Sequence, residues 1–145
     1  MSTTRQVVCQ HCDSIIGVPA ERLVDGPLCP RCRTPLFDGH PVTLGSANFD
    51  QHVGRSGLPV VVDFWAPWCG PCRTMAPAFE EAARRMEPGA RFAKLNIDQA
   101  QDVAARFQVR SIPTLIVFRD GREVARQPGA MGTEQLARWV SAAIA

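Results

Sequence analysis

The chain divides into two regions with different patterns of apolar and polar positions. Residues 1–37 carry only short apolar runs, such as Val7-Val8, between four prolines and several Gly or Asp-Gly turn signals. This pattern predicts no helix of useful length, and a segment of under about 40 residues rarely buries enough surface to fold alone. We therefore expect a metal or a disulfide to hold residues 1–37 together. Residues 38–41 are interpreted as a linker.

Residues 42–145 alternate between strand-like and helix-like patterns, which predicts one α/β domain. Residues 59–65 form a near-continuous β-branched and aromatic run, typical of a strand that is buried on both faces at the centre of a sheet. The dipeptide Asp120-Gly121 adopts positive φ easily and predicts a hairpin. Further strands are expected at residues 42–44, 92–97, 114–119 and 123–127.

Four helices are predicted in the same region. The longest covers residues 69–86, and another covers residues 100–107. Ser46 and Thr133 are expected to cap the first and the last helix, and Trp139 is expected in the core. The buried face of the longest helix is predicted to comprise Met75, Phe79, Ala82, Ala83 and Met86.

Composition and charge exclude several classes of protein. Of the 145 residues, 46% are apolar and 21% are charged, which argues against long disorder and against a fibrous chain. A net charge of +2 is too small for a nucleic-acid binder or a polybasic membrane anchor. Met1 to Gln10 holds no apolar block of signal-peptide length. We expect a soluble, cytoplasmic, monomeric protein that binds neither nucleic acid nor a membrane.

All six cysteines occur in pairs separated by two residues. Cys9, Cys12, Cys29 and Cys32 have the spacing of a structural zinc site, and four thiolates would leave no open position for catalysis. Residues 1–37 are therefore predicted to be a zinc ribbon built from two short hairpins. Iron would also fit four thiolates, and two disulfides are the remaining alternative, although a reducing cytosol would destabilise them.

The three histidines are not expected to bind this metal. His11 lies inside the first cysteine pair, but the four cysteines already complete the ligand set, so His11 is predicted to be solvated. His40 and His52 have no partners by spacing and are expected at the surface.

The third pair, Cys69 and Cys72, stands at the predicted start of the longest helix. Free backbone N–H groups and the helix dipole favour a thiolate there, so we expect a lowered pKa for Cys69. A thiolate attacks disulfides, and Cys72, one helical turn further on, can resolve the resulting mixed disulfide. A third metal knuckle or an inert pair is the alternative.

Asp63 interrupts the apolar strand at residues 59–65, so we expect a buried carboxyl with a raised pKa. Lys94 is the only lysine among 16 basic residues and lies in another predicted strand. This suggests a site near Asp63 that needs a compact ammonium group. A surface lysine without a role is the alternative.

Residues 61–72, VVDFWAPWCGPC, resemble the thioredoxin family, and the resemblance extends over about 105 residues. With the first two cysteine pairs, the whole chain is similar to the bacterial zinc-ribbon thioredoxins, the thioredoxin 2 type. This resemblance implies a central mixed sheet flanked by helices and a small N-terminal zinc ribbon. It also implies protein-disulfide reduction without an organic cofactor and recycling by an NADPH-dependent thioredoxin reductase. Further matching motifs are 75–77 (MAP), 93–98 (AKLNID), 111–114 (SIPT) and 129–130 (GA).

The resemblance also implies roles for individual residues. Asp63 would accept the proton of the Cys72 thiol, with Lys94 nearby. Pro113 resembles the family's cis-proline, and Ile112 would offer backbone groups to an extended substrate segment. The implied substrate surface comprises Trp68, Gly70, Pro71, Ile112, Pro113, Gly129 and Ala130. A disulfide isomerase or oxidase, and a redox sensor or interaction module based on the ribbon, remain alternatives to the reductase.

Overall fold

The computed structural model describes residues 3–145. The chain begins with strands β1 (Thr4–Val8) and β2 (Ile15–Pro19) and a short 3-10 helix (Ala20–Asp25). The elements that follow are β3 (Val42–Leu44), α1 (Phe49–Gly54), β4 (Val60–Trp65), α2 (Gly70–Met86), β5 (Arg91–Asn96), α3 (Gln101–Arg106), β6 (Thr114–Arg119), β7 (Arg122–Pro128) and α4 (Thr133–Ile144). Within residues 3–145, none of the helices has the length and apolar character needed to cross a bilayer.

Strand β4 is the centre of a five-stranded mixed sheet with the order β3-β5-β4-β6-β7. It pairs in parallel with β5 and antiparallel with β6. Val60 to Phe64 are all buried, because helices cover both faces of the sheet. The predicted central strand and the implied mixed sheet flanked by helices are therefore confirmed.

The two faces of β4 contact different helices. Val60, Val62 and Phe64 pack with residues of α1 and α3, whereas Val61 packs with residues of α2 and α4. Because side chains alternate along a strand, Asp63 belongs to the same face as Val61, which α2 covers. The sheet therefore places a carboxyl group under the helix that begins at Gly70.

Two details of the domain agree with the sequence pattern. Asp120 and Gly121 have φ angles of 53° and 79°, and they connect β6 to β7 as a hairpin. Trp139 of α4 is partly buried against the core beneath α2 and α4. The predictions of the hairpin and of a core role for Trp139 are confirmed.

Two helix starts differ from the prediction. Ser46 does not cap α1, which begins at Phe49, because the Ser46 hydroxyl donates instead to Asp102, with 2.5 Å between the oxygens. Thr133 is the first residue of α4 rather than its cap, since the Leu136 N–H already donates to the Gly132 carbonyl. A tertiary contact with Asp102 thus explains why Ser46 is not a cap. At α4 the helix begins one residue earlier than predicted, so Gly132 takes the N-cap position.

The N-terminal region has a small apolar core of its own. Val7, Val18 and Leu36 are buried there together with two of the cysteines, and Leu58 from the segment before β4 completes the cluster. Strands β1 and β2 form the first predicted hairpin, whereas the second is reduced to a single bridge between Leu28 and Pro35. The short 3-10 helix was not predicted, and it contributes no buried residue.

Gly57 joins this region to the sheet. Its N–H donates to the Gln6 carbonyl over 2.8 Å, and a Cβ at Gly57 would lie only 2.8 Å from the Gln6 backbone nitrogen. Gly57 precedes β4, so β1 docks at the end of β4 opposite to the end from which α2 starts. The close approach requires a residue without a side chain.

We expect Gly57→Ala to destabilise the protein by about 1–3 kcal/mol, because the methyl group must displace the β1 backbone. Gly54→Ala is the matched control, since a Cβ at Gly54 meets no atom within 4 Å. Alanine at this helical position should stabilise by about 0.5–1 kcal/mol. Urea unfolding of both variants measures the difference, and equal stability of the Gly57→Ala variant and the wild-type protein would contradict the close docking.

Candidate active site and metal centre

The third cysteine pair lies at the junction of β4 and α2. The Cys69 N–H donates to the Ala66 carbonyl, which turns the chain out of the sheet, and Cys69 occupies the N-cap position of α2. A proline in the first helical turn favours a helix start at this point. Cys69 and Cys72 form a disulfide, with their Cα atoms 5.3 Å apart. The structure therefore shows the pair in its oxidised form.

The two cysteines are both buried, whereas the neighbouring Trp68 is exposed. Cys69 is 5% and Cys72 is 2% exposed, whereas Trp68 is 65% exposed. The Trp68 indole N–H donates to the Asp98 carboxylate over 2.9 Å. Asp98 lies two residues after β5, and no local pattern in the sequence signals this contact. The bond fixes an exposed aromatic ring next to the disulfide.

A second segment borders the disulfide from the side of β6. The Ile112–Pro113 peptide bond is cis, and the Ile112 carbonyl oxygen lies 3.7 Å from Cys69 Sγ. The Gly129 N–H donates to the Pro113 carbonyl over 2.8 Å. Gly129 and Ala130 are exposed, as are Gly70 and Pro71. Of the residues named for a substrate surface, Gly70 and Pro71 thus begin α2, and the others lie in loops. Pro113 is buried and Ile112 is half-buried, whereas the remaining residues are exposed.

Asp63 is buried without a hydrogen-bond partner in the described part of the chain. It is 1% exposed, and neither carboxylate oxygen has a hydrogen-bond partner among residues 3–145. Burial raises the pKa of Asp63 to about 7, and the charge of Lys94 opposes this only in part. Lys94 is the register partner of Asp63 on β5, but its ammonium lies over the Trp65 ring, 4.4 Å from the centroid. Asp63 is therefore able to gain or lose a proton near neutral pH.

The other four cysteines form two knuckles with the same backbone geometry. In each, the N–H of the first cysteine donates to a carbonyl five residues later, Ser14 in one and Thr34 in the other. In each, the residue after the second cysteine has a positive φ, 62° at Asp13 and 64° at Arg33. Both turns thereby aim their sulfurs at a common point.

The four sulfurs match the geometry of a tetrahedral thiolate site. All lie within 4.8 Å of one another, with 3.6 Å between Cys9 and Cys32 and 3.7 Å between Cys12 and Cys29. A metal–sulfur distance of about 2.3 Å in a tetrahedron separates the sulfurs by about 3.8 Å. Cys9, Cys12, Cys29 and Cys32 can therefore hold one metal ion.

Hydroxyl groups on the knuckles favour the thiolate form of two of the four cysteines, Cys12 and Cys32. The Thr34 hydroxyl hydrogen-bonds to Cys32 Sγ, 3.0 Å away, and lowers the pKa of that thiol to about 6. Ser14 lowers the pKa of Cys12 in the same way. Burial acts in the opposite direction at Cys9 and raises its pKa to about 11.

The histidines divide between two environments. His11 and His40 are exposed, as expected, and neither belongs to the sulfur cluster. The prediction of a surface position for His52 is wrong: it is 2% exposed, and its Nε2 lies 2.6 Å from an Asp13 carboxylate oxygen. His52 shares the buried face of α1 with Phe49 and Val53. That three- and four-residue spacing is the sequence signal that identifies it as buried.

Comparison with known proteins agrees with this geometry. The thioredoxin family model matches residues 40–142. The chain is 40% identical over 134 residues to thioredoxin C-3 of Corynebacterium nephridii, covering 92% of each chain. It is 44% identical over 105 residues to a thioredoxin of Pseudomonas aeruginosa, covering 72% of this chain and 97% of that one. At most 11 of the 145 residues lie outside the match to the first relative, so this match includes the second cysteine pair, Cys29 and Cys32.

A dithiol that closes to a disulfide at a helix N-terminus, on this mixed sheet, defines a thiol-disulfide oxidoreductase. The chain belongs to the thioredoxin family. Its four-cysteine cluster fits the zinc-ribbon type of that family.

We expect Asp63→Asn to stabilise the protein in a pH-dependent way. The folded-state pKa of about 7 exceeds the ordinary value of 3.8, so stability is lost as the pH rises from about 4 through 7. The variant should gain nothing near pH 4 and at most roughly 4 kcal/mol above pH 7. Denaturant unfolding between pH 4 and 8 measures this gain, with the exposed Asp25→Asn as control. A gain that does not change with pH would contradict the buried carboxyl.

Proposed function

We propose that this protein is a protein-disulfide reductase of the cytoplasm. The observation that carries the proposal is the Cys69–Cys72 disulfide at the start of α2, beside the carbonyl of Ile112. The Gly70-Pro71 pair between the thiols resembles the reducing members of the family rather than isomerases or oxidases.

In the reduced protein, Cys69 is the attacking group. In the oxidised structure its sulfur already accepts the Cys72 N–H, 3.2 Å away, at the positive end of a 17-residue helix. Both effects favour the thiolate. The Cys69 thiolate attacks one sulfur of a substrate disulfide, forms a mixed disulfide with it, and releases the other substrate sulfur as a thiolate.

Cys72 then completes the transfer of two electrons. Its thiolate attacks Cys69 Sγ, forms the intramolecular disulfide, and releases the second substrate thiolate, so that the substrate is reduced and the protein is oxidised. The Cys72 thiol must first lose its proton. We assign this proton to Asp63, which lies on the α2 face of β4 and has a pKa near neutrality. Lys94 would bias that carboxyl towards its charged form.

Substrate binding is assigned to the exposed loops around the disulfide. An extended segment that carries the substrate disulfide would pair with the backbone at Ile112, as an added strand does. Pro113 would hold that segment opposite the Cys69 sulfur. Trp68, Gly70, Pro71, Gly129 and Ala130 would then supply the apolar contact surface.

A flavin-containing, NADPH-dependent thioredoxin reductase would return Cys69 and Cys72 to the dithiol form, which makes the protein a carrier in electron transport. We propose that the protein acts as a monomer. The similarity to the thioredoxins of Corynebacterium nephridii and Pseudomonas aeruginosa supports thiol-disulfide exchange as the reaction class.

We propose that residues 1–37 are a zinc ribbon, 38–41 a linker and 42–145 the thioredoxin domain. Zinc is preferred to iron because a closed four-cysteine site on a ribbon is the usual structural zinc arrangement. The ion would draw the two knuckles together. It would have no open coordination position and therefore no part in disulfide exchange.

We expect Cys69→Ser to abolish turnover of a protein disulfide, because the attacking thiolate is lost and Cys72 alone cannot close an intramolecular disulfide. Cys72→Ser should still attack and should accumulate a mixed disulfide with the substrate. Insulin reduction with NADPH and a thioredoxin reductase measures turnover, and mass spectrometry detects the adduct. Thr74→Ser, on the same helix, is the control and should keep full activity. Turnover by Cys69→Ser would refute the assignment.

We expect the purified protein to contain one zinc ion per chain. Cys29→Ser removes a buried ligand and should lower zinc affinity at least tenfold, whereas His11→Ala leaves four sulfurs and should keep one zinc. Elemental analysis gives the number of zinc ions per chain. Bound iron would be detected by its absorption of visible light. Iron, or disulfides among these four cysteines, would contradict the zinc assignment.

A further inference from the structure

We propose that Arg91 and His52, both in the thioredoxin domain, are positioning residues of the metal centre. They hold the chain on either side of the first cysteine knuckle, residues 9–12, so that metal affinity depends on the domain against which the ribbon is docked. This inference rests on the proposed zinc site and goes beyond it, because neither residue is a metal ligand.

Arg91 holds the chain just before the knuckle. It begins β5 and is 3% exposed, which is rare for an arginine. Its Nη2 donates to the Val8 carbonyl over 3.1 Å, and Val8 directly precedes the ligand Cys9. Its guanidinium also lies 4.4 Å from the centroid of the Phe37 ring, at the end of the ribbon. A single side chain from the sheet thus contacts the ribbon just before its first ligand and again at its last residue.

The charge of Arg91 suits this position. Four thiolates around a divalent ion carry a net charge of −2, and burial makes that charge costly. A guanidinium on the adjacent backbone offsets part of it. Glu87 and Asp38 are its other charged neighbours. The Glu87 carboxylate forms a buried ion pair with Arg91, 3.7 Å from Nη1 and beyond hydrogen-bond distance, and it accepts the Phe92 N–H. The hydrogen bond of Arg91 is therefore directed to the ribbon.

His52 holds the chain just after the knuckle. Its Nε2 lies 2.6 Å from the carboxylate of Asp13, and the neighbouring Gln51 amide donates to the Asp13 carbonyl. Asp13 directly follows the ligand Cys12 and carries the positive φ that shapes the turn. Helix α1 thereby fixes the residue on which the geometry of the knuckle depends.

These contacts position the sulfurs before a metal arrives. Groups that orient metal ligands from outside the coordination sphere typically change affinity by 10- to 100-fold when removed. Coupling of this kind is reciprocal: if the docked domain strengthens metal binding, the bound metal must stabilise the docked domain equally. The ribbon is then a metal-dependent part of the fold and not a freely attached module.

The test measures zinc affinity of the full chain by competition with a chromogenic chelator. Arg91→Met and His52→Leu should each bind zinc about tenfold more weakly than the wild-type protein. Arg91→Lys, which keeps the positive charge, should recover part of the loss. Arg106→Met is the matched control, because Arg106 also pairs with a carboxylate and contacts aromatic rings, at Asp50, Phe49 and Phe107. Its affinity should stay within about twofold.

A second measurement separates positioning from a general loss of stability. Thermal unfolding of each variant is recorded with zinc and with excess chelator. A purely structural role would lower both midpoints equally, whereas the proposal predicts a smaller gap between them. If Arg91→Met does not fold, His52→Leu decides the question. The inference is overturned if the folded variants keep the wild-type zinc affinity and the wild-type difference between the two unfolding midpoints. A wild-type protein that binds no zinc would overturn the zinc site itself, and this inference with it.

Discussion

The burial of β4 on both faces is the constraint on which the rest of the structure depends. Helices must cover each face, so the chain has to leave the sheet at the carboxyl end of β4 and enter α2 at once. That junction creates free backbone N–H groups at a helix start, and the reactive cysteine pair occupies it. The amino end of the same strand is left for the ribbon, which contacts Gly57 and Leu58. The docked ribbon and the cysteine pair therefore lie at opposite ends of one strand.

An unpaired polar group inside such a strand destabilises the fold, so its presence points to a functional reason. Asp63 has no hydrogen-bond partner among the described residues, and the nearest cation in register, Lys94, lies over Trp65 rather than on the carboxylate. This arrangement leaves the Asp63 carboxyl unpaired, and burial raises its pKa to about 7. A tighter ion pair would stabilise the fold more, but it would fix the carboxyl in its ionised form. The loose pair is therefore consistent with the proton transfer proposed for Asp63.

The sequence was most informative where local pattern alone decides the structure. The β-branched run of β4, the Asp120-Gly121 turn and the spacing of the six cysteines each depend on neighbouring residues. Contacts between distant elements could not be predicted. Ser46 binds Asp102 instead of capping α1, and His52 is buried against Asp13, 39 residues away. Arg91, 83 residues from Val8, has no local signal beyond a charge at the start of an apolar strand. The last two of these contacts join the ribbon to the rest of the chain, through α1 and through β5.

The positions of the two sulfur centres limit how they could influence each other. β4 and β5 each span six residues, or about 20 Å, between the ribbon end and the end next to Cys69. No sulfur of the ribbon can therefore take part in exchange at Cys69 while the fold is intact. An effect of metal loss on disulfide reduction would have to pass through the domain between them. Helix α1, which holds Asp13, offers one route, and the two strands offer another. Arg91 at the start of β5 and Lys94 three residues later lie on that route, and Lys94 is the residue in register with Asp63. Along the two strands, therefore, Asp63, the proposed proton acceptor, and Lys94 lie between the ribbon and the cysteine pair.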